Sequence, residues 1–239
     1  EITKRIIDKP RGYDGDYGVM ELMYENQYKG ETRLGKILHK FVTNDSSSKS
    51  VRLRRNYFIN KISDLKEEKG RISILSIGSG SASEVYQAIT KGISIRKIVL
   101  IDQDKEALKF ASDRIKPLLQ NTDLVCLNIP IVDMIRRKFQ LNSLGTFDYI
   151  YSGGLFDYLS DRFTKTLICI LAKQLAKGVI LEIGNFTDFQ IGFFADIASD
   201  WRLILRSPKE MSAFVPSATL SRIFQIGDQT FLSIQSLNG

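Results

Sequence analysis

From Ile72 onward the chain alternates short apolar runs with amphipathic segments, and this alternation narrows the possible folds more than any other feature of the sequence. The apolar runs are Ile72 to Ile77, Lys97 to Asp102, Leu124 to Leu127, Phe147 to Ser152 and Gly178 to Ile183, each short and rich in Ile, Val, Leu and Tyr. A strand covered on both faces has no wet side, so it reads as a continuous apolar run rather than as strict alternation. Between the runs, Ser83 to Lys91, Asp104 to Leu119 and Asp157 to Leu175 have helical texture, the first two opened by the capping side chains Ser83 and Asp104. Strand and helix in turn predict a parallel sheet wrapped by helices. The end of the chain departs from this pattern. Arg222 to Ile226 and Thr230 to Gln235 flank Gly227-Asp228, a two-residue hairpin signal, so an antiparallel C-terminal strand is expected.

Before Ile72 the strand-like runs disappear. Three helices are expected, near Val19 to Asn26, Arg33 to Phe41 and Ser48 to Lys66, joined by polar loops at Pro10 to Tyr17 and Asn44 to Ser48. The chain is accordingly read as an N-terminal helical cap or lid over residues 1–70 and an α/β domain over residues 71–239.

Composition excludes several classes. No apolar stretch reaches the roughly 18 residues that a membrane span requires. Cys126 and Cys169 make neither a disulfide framework nor a metal-ligand spacing, which suits a reducing, cytoplasmic setting and no metal. The net charge of +7 comes from 34 Lys+Arg against 27 Asp+Glu, but the basic residues are dispersed and lack an aromatic-interleaved motif. A charge of this sign fits nucleic acid such as RNA, an anionic membrane surface or an acidic small molecule, and the missing motif makes nucleic acid the lesser reading.

The strongest local signal is Ser76-Ile77-Gly78-Ser79-Gly80-Ser81-Ala82-Ser83-Glu84, placed after a strand and opening a helix. Glycines at 78 and 80 permit a tight turn and let a ligand approach backbone, while the helix N-terminus offers free N–H groups. Gly78, Ser79 and Gly80 are thus cofactor-site candidates. A dinucleotide site would want a third glycine or alanine at 83 for close helix packing, and Ser83 together with the terminal hairpin argues against an NAD-dependent oxidoreductase. The next strand ends in Asp102-Gln103, where a carboxylate can accept both hydroxyl protons of a ribose. Asp104 could share that role, although capping the following helix suits it better. Asn128, at the end of the third strand, could reach an adenine. Ser152, Gly153 and Gly154, at the end of the fourth, should line the rest of a bound cofactor and its acceptor.

Gly78-x-Gly80, Asp102, the polar end of the third strand and the Phe147-Asp148 strand together resemble the class I S-adenosylmethionine (SAM)-dependent methyltransferases, over roughly residues 70–239. The resemblance implies a Rossmann-like, mostly parallel seven-stranded sheet, SAM as cofactor and methyl transfer as the activity. A catalytically inactive SAM-binding module would share the fold. One departure stands out: the acidic residue usual just ahead of the glycine turn is Ser76 here.

Arg11 to Tyr17, Gly35 to His39, Arg52 to Arg55 and Gly153 to Leu159 resemble a narrower bacterial subgroup, the 3-hydroxypalmitic acid methyl ester synthases. This likeness spans nearly the whole chain and implies a fatty acid carboxylate as acceptor and a methyl ester as product. Some relatives carry the domain behind a regulatory one, so fusion to a further domain is an expectation too. Tyr13, Asp16 and Tyr17, on the loop before the second cap segment, and Asp157 and Tyr158 are the substrate-binding candidates. Tyrosines on a loop offer a flat apolar face and a hydroxyl, which suits a lid; the alternative is that Asp14 and Asp16 cap the next helix and the rings pack on the core. The register of the Arg52, Arg54, Arg55 helix turns only some of these inward, and an inward arginine should meet a carboxylate such as Glu84 or the substrate's own. Trp201 and Phe193-Phe194 read as core or pocket wall. His39, the only histidine, is the candidate general base, with a packing role as its alternative.

Overall fold

The computed structural model describes residues 1–136, 138–175, 178–189, 200–217 and 219–236. Phe193-Phe194 lies outside the described residues. Four helices precede the sheet: α1 (Ile2–Asp8), α2 (Tyr17–Glu25), α3 (Arg33–Asn44) and α4 (Ser46–Lys69). Then β1 (Ile72–Ile77), α5 (Ser83–Thr90), β2 (Ile95–Asp102), α6 (Lys105–Ile115), β3 (Asp123–Asn128), α7 (Ile131–Ile135) and β4 (Tyr149–Ser152) alternate. The chain ends with α8 (Asp161–Ala172), β5 (Ile180–Phe186), α9 (Pro208–Ser212), β6 (Thr219–Ile226) and β7 (Gln229–Ser236).

The seven strands form one sheet in the order β3-β2-β1-β4-β5-β7-β6. β1 to β5 run parallel, and β7 lies antiparallel between β5 and β6. Every residue of β1, β4 and β5 is buried, whereas the edge strands β3 and β6 are partly exposed, as their position demands. Side chains alternate between faces. Leu75, Ile77, Val99 and Ile101 join one apolar core with α8, while Ile72, Ile74, Ile98 and Leu100 join the other with α4, α5 and α6. The chain starts in the middle of the sheet, steps outward to β3, and returns to β4 on the other side of β1. That reversal parts the connections at the carboxyl ends of β1 and β4 and opens a crevice there.

The structure departs locally from the sequence reading. α1 was not foreseen, because its seven residues bury only Ile2 and Ile6 and offer too short a period to detect. Ser83 does not cap α5. Ala82 occupies the N-cap position in a left-handed conformation, φ 48°, with no side-chain cap. The helix expected from Asp157 begins instead at Asp161, after a short 3₁₀ turn over Phe156–Tyr158, because the Asp157 carboxylate is committed to another strand. α3 is inverted relative to an ordinary amphipathic helix: Leu34, Ile37, Leu38 and Phe41 are exposed and His39 is buried. The terminal hairpin turns at Gly227, whose φ of +57° and contact with Ser50 leave no room for a β-carbon. Ser50 Oγ accepts the Asp228 N–H at 2.8 Å, tying the hairpin to α4.

Candidate active site

The floor of the crevice is the turn from β1 into α5. Gly78 (φ +64°) and Gly80 (φ +51°) supply conformations that other residues reach only under strain. The backbone N–H groups of Gly78 and Ser79 both donate to the Ile101 carbonyl, at 2.9 and 3.2 Å, which pins the turn to the end of β2. There Asp102 is held by two further backbone donors, Gly80 N–H to Oδ2 at 2.7 Å and Asp104 N–H to Oδ1 at 2.8 Å. Burial pushes the Asp102 carboxyl upward, and these two bonds oppose the rise. Each oxygen keeps a second lone pair, the requirement for receiving a diol.

At the end of β4, Gly153 and Gly154 sit against the guanidinium of Arg54. A β-carbon on Gly153 would lie 3.2 Å from Arg54 Nε and from Phe58 Cε2. Arg54 donates to the Gly153 carbonyl at 2.7 Å and to Gln229 Oε1 at 3.0 Å. The expected pairing of an inward arginine with Glu84 is not formed; Arg54 reaches no carboxylate among the described residues, because backbone and amide oxygens occupy it. Arg52 donates to the Met23 carbonyl, and Arg55 lies over the Tyr24 ring at 4.6 Å. Glu84 is buried and accepts the Tyr151 hydroxyl at 2.8 Å. Asp157, also buried, accepts the Phe186 N–H at 2.6 Å, and burial pushes its carboxyl up to about 6. Its neighbour Tyr158 accepts the Trp201 indole N–H at 3.1 Å.

The roof comes from the cap. Asp16 accepts the Val19 N–H at 2.9 Å and so caps α2, while also binding Arg5 at 2.8 Å. The loop ahead of it is fastened to Asp104: Arg11 donates from Nε and NH2 at 3.0 and 2.6 Å, and the Tyr13 hydroxyl donates at 2.8 Å. The same carboxylate caps α6 through Glu106 and Ala107. Burial disfavours its charge, but these donors hold Asp104 below the usual carboxylate range. α4 contributes Ser47, Val51, Arg54, Arg55 and Phe58, whose spacing puts them on one helical face.

Floor and roof enclose a cavity of about 580 Å³. Of the residues expected from sequence, it is lined by Gly78, Ser79, Gly80, Asp102, Gln103, Gly153, Gly154, Tyr13, Tyr17, Asp157, Tyr158 and Trp201. Four others do not line it. Asn128 donates its amide to the carbonyls of Asp102 and Gln103, at 3.1 and 2.9 Å, and Ile129 and Ile131 form that wall instead. The Ser152 side chain is buried beneath the strand end, Asp16 is consumed by capping, and Asp104 is covered by Arg11 and Tyr13. His39 stands apart as well: it is buried within the cap, where Nδ1 accepts the Ile2 N–H at 3.3 Å and Nε2 has no partner among the described residues. Burial lowers its pKa and favours the neutral ring. Sequence reasoning missed the wall contributed by Met20, Met23 and Tyr24 of α2 and by Phe186, Phe189 and Leu203; only the face of α4 carried a readable period.

No family model and no curated protein matches this sequence. Solved structures do. A "possible exported protein" from Bordetella parapertussis superposes with a TM-score of 0.71 at 15% identity, over 92% of this chain and 79% of that one. An O-methyltransferase family protein from Burkholderia thailandensis gives 0.59 at 13% identity, over 92% and 67%. DhpI, in a complex with SAM and HEP, gives 0.51 at 11% identity, over 77% and 97%. The chain therefore has the Rossmann-like seven-stranded fold found in SAM-dependent methyltransferases.

Proposed function

We propose that this protein is a SAM-dependent methyltransferase acting on a small acceptor. The observation that carries the proposal is one continuous cavity, in which a glycine turn with Asp102 at its edge is joined to an apolar chamber walled by Met20, Met23, Leu159, Phe186, Phe189, Trp201 and Leu203. The site's chemistry fits the cofactor. Asp102 retains acceptor capacity for the ribose, Ile129 and Ile131 offer an apolar wall to the adenine, and the glycines of the turn add no side chain of their own. When bound, SAM supplies an electrophilic methyl group on a sulfonium. The chain's own task is then to align an acceptor and keep water out, which is where most of the rate of such a displacement originates.

For the acceptor we propose the carboxylate of a hydroxylated fatty acid or a similar small acid, giving a methyl ester. The apolar chamber supports this reading, as does Arg55, a cation at the cavity that forms no ion pair among the described residues. A carboxylate is already ionised near neutrality and needs no base, in keeping with a cavity from which the only histidine is remote. Asp157 favours a second reading. A buried carboxylate at the cavity with a pKa of about 6 could take the proton of a hydroxyl acceptor. Two unpaired cysteines support a cytoplasmic setting, and among the described residues no helix is long and apolar enough to cross a membrane.

Calorimetry with SAM, S-adenosylhomocysteine and NAD tests the cofactor. SAM and S-adenosylhomocysteine are expected to bind, and Asp102→Ala to weaken them more than about tenfold by leaving the ribose hydroxyls unpaired. Binding of NAD alone would overturn the reading. Incubation with methyl-labelled SAM and a bacterial lipid extract tests the acceptor: a base-labile labelled ester is expected, and a base-stable ether would transfer the weight to the Asp157 reading.

A further inference from the structure

Beside the glycine turn the cavity holds two buried charges of opposite sign that do not pair. Glu84 is 7% exposed; its carboxylate accepts the Tyr151 hydroxyl and its own backbone N–H, and the Arg114 and Arg54 guanidiniums act on it without closing a salt bridge among the described residues. Arg54 is 6% exposed, and its NH1 alone is engaged, by the Gly153 carbonyl and Gln229. No ion pair links them, yet both line the cavity. They stand around the same strand end. Tyr151, which binds Glu84, and Gly153, which binds Arg54, are two residues apart on and just after β4. Phe58, one helical turn beyond Arg54, packs on the Tyr151 ring at 4.7 Å.

Buried charge without a direct salt-bridge partner is costly in a folded protein. Two such charges at one cavity, separate and opposite, are the complement of a ligand that carries both signs itself. Ser76 bears on the same point. At the position ahead of the turn where the resembling methyltransferases carry an acid, this chain has a small hydroxyl, itself buried and lining the cavity. The nearest carboxylate on the turn's own path into α5 is Glu84, four residues after Gly80.

Resting on the SAM reading, we propose that Glu84 and Arg54 form a zwitterion clamp for the amino-acid end of the cofactor, Glu84 receiving its ammonium and Arg54 its carboxylate. The acidic function has moved from the end of β1 to the first turn of α5, and the matching cation is supplied by α4. The assignment explains why two glycines follow β4: side chains at 153 or 154 would crowd the guanidinium that must stay open to the ligand. It also leaves Arg55, rather than Arg54, for the acceptor. Burial pushes the Glu84 carboxyl upward in the free protein, and its hydrogen bonds and the Arg114 and Arg54 guanidiniums oppose the rise only in part.

The test compares two ligands that differ only at that end. S-adenosylhomocysteine carries the amino acid, whereas 5′-methylthioadenosine has the adenosine and thioether without it. Calorimetry of the full chain is expected to show Glu84→Gln and Arg54→Met each weakening S-adenosylhomocysteine at least about tenfold while leaving methylthioadenosine within about twofold. Arg54→Lys, which keeps the charge but not the planar fork, is expected to fall between and guards against a Met variant that does not fold. Unchanged S-adenosylhomocysteine binding in both variants would overturn the clamp and leave the cofactor reading standing. Parallel loss of both ligands would assign the pair a structural role and overturn it too. A wild-type protein that binds neither ligand would remove the cofactor reading itself, and the clamp with it.

Discussion

The strand ends that floor the cavity meet a ligand largely with backbone, whereas the loop and helices above meet it with side chains. On the floor, Gly78, Ser79 and Gly80 are fixed by main-chain bonds to Ile101 and Asp102, and their geometry follows from the register of β1 against β2. In the roof, Arg11 and Tyr13 are fixed only by converging on Asp104, about ninety residues away in sequence. A roof of this kind depends on individual side chains, and it can differ between proteins that share the floor. Under the proposed function the difference divides the labour: the floor would serve the cofactor and the roof the acceptor.

The largest expected effect tests whether the roof hangs on a single carboxylate. Asp104→Ala removes the cap of α6 and the anchor of Arg11 and Tyr13 together. Loss of a cap costs about 1 kcal/mol, and charge-assisted bonds add about 1.5–3, so a total near 3 kcal/mol is expected in urea unfolding. A loss of only the cap's contribution would mean that the loop is held elsewhere, and the contrast between floor and roof would weaken.

A smaller effect, of about 2 kcal/mol, sharpens the boundary between the two regions. Asp157 ends the floor at β4, yet its carboxylate holds the backbone of Phe186, which joins the roof's apolar cluster. Its pKa is raised by burial from 3.8 to about 6, so between those values the folded protein keeps a proton that the unfolded chain has released. Stability from this group therefore falls as pH rises through that window, by about 1.4 kcal/mol per unit. Asp157→Asn keeps an acceptor for Phe186 and cannot ionise. Its stability relative to wild type is expected to improve by about 2 kcal/mol between about pH 4.5 and pH 7.5 in thermal or urea melts. A constant difference across that range would show that Asp157 is ionised in the fold at low cost.

The same division decides what could be read from sequence. The floor was legible: a continuous apolar run reports a doubly buried strand, and small residues at its carboxyl end report a crevice, so Gly78, Asp102 and Gly153 could be placed from local pattern alone. Where the floor was misread, local chemistry had two outlets. Asn128 bonds the neighbouring strand end, and Asp157 bonds Phe186, so that the helix expected from Asp157 starts only at Asp161. The roof was hardly legible. Arg11, Tyr13 and Asp104 meet by tertiary convergence that no spacing encodes. α3 reversed its expected face, since Leu34, Ile37 and Phe41 point outward and its histidine inward. The resemblance pointed at the loop from Arg11 to Tyr17, and the structure brings its Tyr13 and Tyr17 to the cavity while Asp16 caps α2.

The smallest expected effect on chemistry concerns His39, the candidate base that belongs to the roof without touching the cavity. It is buried against α1, its Nδ1 accepts the Ile2 N–H, and that acceptor role requires a ring whose proton sits on Nε2. Burial lowers its pKa, the opposite direction to Asp157. For a histidine lowered in the fold, the unfolded chain binds the extra proton first. Its contribution to stability is complete above the ordinary value of about 6.5 and is lost as pH falls through the folded value. The two buried groups thus slope in opposite senses on the acid side, and each conceals part of the other in the wild-type profile. His39→Gln keeps an acceptor for Ile2 and removes the titration, so it should flatten the loss of stability below about pH 6.5 that wild type shows. SAM affinity should stay unchanged, and methyl transfer should fall less than tenfold, because no step at the cavity uses the ring. A thousandfold loss of rate with the fold intact, together with disappearance of a limb near pH 6.5, would return His39 to the chemistry. The roof would then have to release its bonds to Asp104 and bring His39 to the cavity.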